Sequence, residues 1–208
     1  MNTIIHLIRH GEVHNPRKIV YGRLPRFGLS EHGREQASAA GEYLQSVGGL
    51  DALYTSPMLR ARQTGKIINE MIPVPVHRST LINEVECQYD GQPLSVVEAI
   101  DWDIYTGAPP EYEQPPEVVT RLQRFLERTC RRHPGQRIAA VTHAHLLSFA
   151  VIWAKGQTDF HYFKERLDEL GIADPFPMPA SVVTLTFAPS ASLPHIAYTH
   201  PHTEKVGA

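Results

Sequence analysis

The stretch Thr3-Ile4-Ile5-His6-Leu7-Ile8-Arg9-His10-Gly11-Glu12 is the most informative part of the chain. Its first six residues form an apolar run rich in β-branched side chains, which is typical of a buried strand. The run ends abruptly at a cation, an imidazole, a glycine and a carboxylate. Ligands of open α/β sheets bind beyond the carboxyl ends of the strands. We therefore expect Arg9 and His10 to face a site for an anionic substrate. Arg9 would hold this substrate, and His10 would either attack it or carry protons to and from it.

Strand and helix patterns alternate along the rest of the chain. This alternation predicts a three-layer α/β/α sandwich with a mostly parallel central sheet. Further strands are expected at residues 52–55, 74–76, 137–142, 181–187 and 195–199. Helices are expected from a cap at Ser30 to residues 48–49, from Ser56-Pro57 to about residue 72, at 118–132, at 145–155 and between 159 and 171.

We expect one domain spanning residues 1–208, since this length suits a single core. Residues 84–116 are irregular and rich in proline, and we expect them to form a lid-like insertion. The tail after Pro201 is expected to be loose.

The composition excludes several broad functions. The chain has 208 residues, 42% of them hydrophobic and 20% charged, and a formal net charge of −2. Such a balance gives no general attraction to nucleic acids or to anionic membranes. Cys87 and Cys130 form neither a ligand pair nor a disulfide framework. With no span-length apolar run and no signal-peptide pattern, we expect a cytoplasmic protein that acts on a small molecule.

Two later segments repeat the pattern of a strand followed by an anion-binding group. Residues 56–64 (Ser-Pro-Met-Leu-Arg-Ala-Arg-Gln-Thr) start a predicted helix after the second strand, and Arg60 lies in its first turn. The N–H groups and the positive dipole end of this helix favour an anion. His143 follows the strand predicted at 137–142 and offers a further donor to a phosphoryl oxygen.

Taken together, these motifs resemble the histidine phosphatase superfamily, the phosphoglycerate mutase-like proteins, and in particular its phosphatases. The resemblance covers nearly the whole chain. It is carried by Arg9-His10-Gly11-Glu12, by Leu29-Ser30 with Gly33 and Gln36-Ala37, by Ser56 to Thr64 and by His143. Four matches in the right order are far more specific than any one of them alone.

The resemblance implies hydrolysis of phosphomonoesters through a phosphohistidine on His10, without a metal or another cofactor. Arg9, Arg60 and His143 would neutralise the phosphoryl oxygens, and Asn15 would add an uncharged hydrogen bond. The general acid would be Glu84, which follows Leu81-Ile82-Asn83 as the family's glutamate does. Glu86 and Asp90 are close alternatives for this role.

The substrate is less well defined by the sequence. Arg23 lies on a loop that could reach the rim of the pocket. The insertion carries aromatic and acidic residues, namely Trp102, Tyr105, Glu111, Tyr112, Glu113 and Glu117. They argue against a bisphosphate and for a monoester with a less charged, partly apolar leaving group.

Three alternatives stay open. Mutase-type transfer between phosphoglycerates is the alternative within the family. A metal-dependent hydrolase is suggested by the pair His143 and His145, whose spacing can present two ligands from a strand. The third is a non-catalytic module that binds a phosphorylated ligand. The oligomeric state cannot be read from these residues.

Overall fold

The computed structural model describes residues 1–160, 163–170 and 177–204. In this part the strands are β1 (Thr3–Arg9), β2 (Ala52–Thr55), β3 (Val76–Arg78), β4 (Arg137–Thr142), β5 (Val182–Phe187) and β6 (His195–Thr199). The helices are α1 (Glu31–Ser46), α2 (Leu59–Met71), α3 (Leu94–Glu98), α4 (Pro115–Arg132), α5 (Ala144–Ala154), α6 (Phe163–Glu169) and α7 (Pro201–Glu204).

The six strands form one sheet in the order β3-β2-β4-β1-β5-β6. The pairs β3–β2, β2–β4 and β4–β1 are parallel, and β5 runs antiparallel to both β1 and β6. The sheet is therefore mostly parallel, which confirms the predicted α/β class. The strand predicted at 137–142 lies between β2 and β1, and it is buried along nearly its whole length.

Helices cover both faces of the sheet, because side chains of a strand point alternately to either side. Ile8 of β1 packs in one cluster with Leu44 of α1 and Ile68 of α2. Its neighbour Leu7 belongs to a larger cluster on the other face, together with Leu122 of α4 and Leu147 of α5. The observed layers are those of the predicted three-layer sandwich.

The register of the central strands brings the candidate site residues together. Arg9 at the end of β1 pairs with Thr142 at the end of β4, and these strands are parallel neighbours. His10 and His143, which directly follow this pair, therefore lie beside each other. The backbone N–H of His10 donates to the Thr142 carbonyl at 3.0 Å. The carboxyl edge of the sheet thus carries both imidazoles.

Two glycines allow the strand β1 and the helix α1 to meet backbone against backbone. A Cβ on Gly11 would lie 2.2 Å from the Gly33 carbonyl oxygen, and one on Gly33 would lie 2.0 Å from the Glu12 carbonyl oxygen. Ser30 caps α1 by accepting from the Gly33 N–H, and its hydroxyl donates to the Glu12 carboxylate at 2.6 Å. Gly11, Glu12, Ser30 and Gly33 therefore serve to seat α1 beside the site.

Some predicted boundaries were wrong. The strand expected at residues 74–76 is β3 at Val76–Arg78, since Pro75 has no N–H to donate to a ladder. The helix expected to begin at Ser56-Pro57 begins at Leu59, and its cap residue Met58 has no side-chain cap bond. The Ser56 hydroxyl accepts from the Met58 N–H at 3.3 Å, before the helix begins, and its other contacts belong to the site described below.

Other differences lie in the insertion and near the end of the chain. The segment 84–116 contains the short helix α3, and α4 begins at Pro115. Of the tail predicted to be loose, residues 201–204 form a helical turn, α7, and residues 205–208 lie outside the described part. The His202 ring lies edge-on against His32 of α1. The helix predicted between 159 and 171 is α6, but residues 161–162 and 171 lie outside the described part. No helix in the described part is long and apolar enough to cross a membrane.

The buried His6 in β1 gives a prediction for stability. Its Nδ1 atom lies 2.9 Å from the Thr184 hydroxyl, and burial, followed by the charge of Arg137, lowers the pKa of His6 to about 4. Below about pH 6.5 His6 binds a proton in the unfolded chain but stays neutral in the folded chain. Stability should therefore fall as the pH drops from about 6.5 to about 4.

We expect this residue to account for about 2–3 kcal/mol of the stability lost between pH 7 and pH 4.5. Urea unfolding of wild type and His6→Val at both pH values measures it. The variant should lose less stability on acidification than wild type does. An equal loss in both proteins would contradict the assignment.

Candidate active site

His10 lies directly after β1 and is only 2% exposed. Its Nδ1 is 2.8 Å from the Gly11 carbonyl oxygen, an arrangement in which Nδ1 carries the proton and donates. The other ring nitrogen, Nε2, then has a lone pair, and it accepts from the Arg60 Nε–H at 3.0 Å. The imidazole is thus held in the tautomer that leaves Nε2 nucleophilic.

Arg60 connects the groups of the site. It is the second residue of α2, and although charged it is completely buried. Its Nη2 group lies 2.8 Å from the Gly22 carbonyl oxygen and 3.2 Å from Nδ1 of His143. Nη2 also lies 3.4 Å from the Glu84 carboxylate. One guanidinium therefore contacts both imidazoles and the carboxylate.

His143 is fully buried at the start of α5. Its Nε2 lies 2.9 Å from the Ser56 hydroxyl, which in turn donates to the side-chain oxygen of Asn83 at 3.0 Å. The hydroxyl therefore accepts from Nε2, and Nδ1 is left as an acceptor that faces Arg60 and Glu84. The His143 and His10 rings are 5.3 Å apart between centroids.

Among the three candidate acids, the geometry favours Glu84. Its carboxylate is almost buried, lies 3.3 Å from Nδ1 of His143 and borders the cavity described below. Glu86 is exposed and pairs with Arg23 at 2.6 Å. Asp90 accepts from the backbone N–H of Arg23 at 2.9 Å. Neither of these two carboxylates borders the cavity.

Burial and the guanidiniums shift the titration of the site. Burial, with Arg60 and Arg9 adding to it, holds the pKa of His10 well below its usual value. Burial and then Arg60 do the same to the pKa of His143. Burial raises the pKa of Glu84, although Arg60 acts in the opposite direction. Neutral imidazoles beside a carboxyl group that holds its proton more tightly than usual suit nucleophilic attack followed by proton donation.

A cavity of about 280 Å³ opens in front of these groups. Arg9, His10 and Glu84 belong to its lining, and so do Tyr21 and Gly22. Arg9 donates through Nη1 to the Pro177 carbonyl oxygen at 2.5 Å. The lining therefore combines the Arg9 cation and the His10 imidazole with room for the rest of a substrate.

The structure gives two of the predicted site residues other contacts. The side-chain amide of Asn15 donates to the Ile19 carbonyl oxygen at 2.8 Å and accepts from the Ile19 N–H at 3.3 Å. It closes a loop, and its contact to a phosphoryl group stays a prediction. Arg23 was expected at the rim, but its Nε donates to the backbone carbonyl oxygen of Glu84 at 2.8 Å.

Sequence reasoning missed a network that holds the Glu84 segment from behind. Arg121 of α4 donates to the carbonyl oxygens of Leu81 and Asn83 at 2.8 and 2.9 Å. The Glu113 carboxylate bridges the two arginines, at 2.7 Å from Arg121 Nε and 2.7 Å from Arg23 Nη2. We call Arg23, Glu113 and Arg121 the clamp. No sequence motif indicates the clamp, because its members are separated along the chain.

His145 was considered only as a metal ligand, yet it borders the cavity. Its Nδ1 lies 4.0 Å from the Glu84 carboxylate, and burial lowers the pKa of His145 to about 3. Tyr21 was also missed; its ring lies 4.8 Å below the Arg60 guanidinium, a distance suited to a cation–π contact. Both residues shape the surroundings of the predicted groups.

The arrangement bears on the metal-dependent alternative. His10, Glu84 and His143 have potential ligand atoms within 4.8 Å of one another. However, the Arg60 guanidinium donates to His10 Nε2 and lies 3.2 Å from His143 Nδ1, so it occupies the lone pairs that a metal would need. A cation in this position also repels a metal ion. His145, the other histidine of the suggested pair, is not a member of this group.

Comparison with known proteins identifies the family. A model of the histidine phosphatase superfamily (branch 1) matches residues 5–173. The uncharacterised phosphatase PhoE of Bacillus subtilis is 29% identical over 144 residues, which are 68% of this chain and 72% of that protein. These matches support the conclusion that the chain is a phosphatase-type enzyme.

Solved structures show the same fold. YhfR of Bacillus stearothermophilus superposes with a TM-score of 0.78 at 23% identity, covering 96% of this chain and 99% of that chain. A phosphoserine phosphatase from Entamoeba histolytica, solved with 3-phosphoglyceric acid, gives a TM-score of 0.74 at 18% identity, covering 95% and 96%. Since the family model spans most of its length, the chain belongs to the histidine phosphatase superfamily, branch 1.

Proposed function

We propose that the protein hydrolyses phosphomonoesters of small molecules through a phosphohistidine on His10. The observation that carries this proposal is the contact set of His10: its Nδ1 is held by Gly11, and Arg60 lies on its Nε2. In the first step Nε2 attacks phosphorus, and the bond from phosphorus to the ester oxygen breaks. Arg60 would then move its N–H from Nε2 to a phosphoryl oxygen, where Arg9 adds further positive charge. His143, a neutral imidazole, would add a hydrogen bond by turning its Nε2–H from Ser56 to a phosphoryl oxygen.

Glu84 is proposed to supply the proton that the leaving oxygen needs. Its raised pKa favours the protonated carboxyl group before the reaction. In the second step water attacks the phosphohistidine, the carboxylate of Glu84 takes the proton, and the bond between nitrogen and phosphorus breaks. Inorganic phosphate leaves, and His10 and Glu84 return to their starting states.

The other functions are less well supported. A mutase must retain and turn a substrate that carries a second anionic group, whereas much of the cavity wall is apolar. A module that only binds a phosphorylated ligand would have no use for a buried carboxyl group beside a nucleophilic imidazole. The proposal therefore favours transfer of the phosphoryl group to water.

The deciding experiment incubates the purified protein, in excess chelator, with a panel of phosphomonoesters that includes the phosphoglycerates. Released phosphate is measured, and rapid quenching in alkali followed by mass spectrometry locates phosphohistidine. Phosphate release with a phosphoenzyme at His10 is the expected result. Exchange between phosphoglycerates without release would make the enzyme a mutase, and loss of activity with chelator would favour a metal.

The clamp leads to a separate prediction. Glu113 pairs with both Arg23 and Arg121, and both guanidiniums hold the backbone around Glu84. Glu113→Gln keeps the shape but weakens these charge-assisted bonds, so Glu84 should be less well placed. We expect kcat to fall about tenfold on alkyl phosphates with little change in KM.

The matched control is Glu111→Gln, which alters an exposed carboxylate in the same loop and should leave kcat unchanged. Activity on alkyl phosphates should fall at alkaline pH, where Glu84 loses the proton that it donates. If the clamp acts through Glu84, Glu113→Gln should also shift the pH at which kcat falls. Equal kcat values for the two variants would refute this role of the clamp.

A further inference from the structure

The cavity has an apolar wall that the catalytic chemistry does not use. Its lining side chains are Val20, Val85, Leu94, Val97, Trp102 and Ile104. All six are apolar, or largely so in the case of the indole. A polar leaving group would lose its water here without gaining hydrogen bonds, whereas an apolar group would gain from leaving water.

The charges around the wall argue in the same direction. Among the described lining residues, the basic side chain outside the phosphate-binding end is Lys164. Its Nζ lies 2.5 Å from the carboxylate of Asp101, whose side chain is largely exposed. A second anionic group on a substrate would therefore have to share Lys164 with the carboxylate of Asp101.

Trp102 is placed in the wall by an unusual turn of the backbone. Asp101 and Trp102 have φ angles of 49° and 63°, in the left-handed region that residues other than glycine rarely adopt. The Trp102 N–H donates to the Val97 carbonyl oxygen at 2.7 Å, which folds the chain back at the end of α3. Strained backbone of this kind persists where the surrounding structure holds it, and it is common at ligand sites.

The wall is also attached to the loop that follows β1. The N–H of Leu94 donates to the Lys18 carbonyl oxygen at 2.9 Å, and the N–H of Val20 donates to that of Gln92 at 2.8 Å. Ile19 forms a β-bridge with Pro93. These bonds hold the wall in position, so binding need not include the cost of ordering it.

We infer that the substrates are phosphomonoesters of uncharged, apolar alcohols, aromatic or branched aliphatic, and that Trp102 determines this specificity. The inference rests on the proposed hydrolase function of the same site. The phosphoryl group lies at the cationic end near His10, and the alcohol lies against the apolar wall. The indole offers a broad flat surface to such a group.

The test compares 2-phenylethyl phosphate, propyl phosphate and 3-phosphoglycerate, all alkyl esters, so that activated aryl leaving groups do not bias the comparison. We expect kcat/KM for the phenylethyl ester to exceed that for 3-phosphoglycerate by at least about tenfold. Trp102→Ala should lower kcat/KM about tenfold for the phenylethyl ester, mainly through KM, and change propyl phosphate little. The control is Val96→Ala, an exposed residue of α3 that lies outside the lining, and it should change kcat/KM for none of the three esters.

Leu94→Lys tests the wall in the opposite direction, because it adds a cation to the lining. It should reduce the preference for the phenylethyl ester over 3-phosphoglycerate. Faster cleavage of 3-phosphoglycerate by wild type, or an equal effect of Trp102→Ala on all three esters, would overturn the inference.

Binding separates this inference from the proposed function. Benzylphosphonate should raise the melting temperature more than methylphosphonate at equal concentration, and Trp102→Ala should remove the difference. If no ester is hydrolysed but this difference is found, the hydrolase proposal fails and the apolar site stands. If esters are hydrolysed and the two phosphonates stabilise the protein equally, the substrate class is wrong.

Discussion

His10→Ala is expected to abolish both phosphate release and the phosphoenzyme, with kcat/KM falling by at least about a thousandfold. The variant removes Nε2, and no other nucleophile of the site can take its place without a change of geometry. His143 is the nearest imidazole, but its Nε2 is bonded to Ser56 and its Nδ1 faces Arg60. The measurement is phosphate release together with detection of phosphohistidine after quenching in alkali.

The control is His14→Ala, an exposed imidazole four residues further along the same loop. It should retain wild-type kcat/KM, and circular dichroism should show that both variants are folded. His10→Asn provides a second test, because its amide can keep a hydrogen bond without the nucleophilic nitrogen. A phosphoenzyme that persists in either His10 variant would refute the assignment.

The lowered pKa of His10 adds a prediction about acidic conditions for the wild-type enzyme. Protonation of the imidazole would remove the lone pair at Nε2, and the folded protein opposes it through burial and the charges of Arg60 and Arg9. The fraction of nucleophilic His10 should therefore stay high well below pH 6.5, where an exposed histidine is mostly charged. A pH profile of kcat/KM with 2-phenylethyl phosphate tests this.

The chemistry-bearing strand ends were predictable from the sequence because they depend on local signals. An apolar run followed by Arg9-His10 predicts a strand end, and the same holds for the run before His143. Parallel strands of one sheet bring such ends to one edge. The pairing of β1 with β4 makes the two imidazoles neighbours, as this reasoning requires.

Contacts between distant segments were not predictable in this way. The clamp joins Arg23, Glu113 and Arg121, charged residues whose patterns look like ordinary surface positions. Nor did the sequence indicate that the Asn15 amide bonds the Ile19 backbone, and its contact with a phosphoryl group stays a prediction. Which way a loop side chain points depends on backbone groups that the sequence does not locate.

The same limit applies to the substrate. Aromatic and acidic residues in the insertion suggested an apolar leaving group, but they did not show which of them border the cavity. Trp102 borders the cavity, whereas Glu113 belongs to the clamp and the Tyr105 ring packs edge-on against His145. The apolar wall could therefore be recognised only in the structure, because it combines residues of an irregular segment with Val20 of the loop after β1.

Glu84→Gln should slow alkyl phosphates by about 10²–10⁴-fold in kcat, because the amide cannot donate the proton that an alkoxide needs. 4-Nitrophenyl phosphate has a leaving group that departs without protonation, so the burst of nitrophenol that reports phosphoenzyme formation should be much less affected. Rapid-quench kinetics with both esters measure the contrast. Glu86→Gln is the matched control and should behave as wild type, since Glu86 is exposed and turned to Arg23.

The pH profile provides the second half of this test. Wild-type phosphoryl transfer from an alkyl ester should fall as the pH rises through the raised pKa of Glu84, because only the protonated carboxyl group can donate. Glu84→Gln should lose this alkaline limb, since it has no proton to release. If both esters slow equally and the limb remains in the variant, the proton comes from another group, and Asp90 becomes the next residue to replace. Loss of the limb together with a retained nitrophenol burst would tie the donated proton to Glu84, since a structural fault at this position would slow both esters alike.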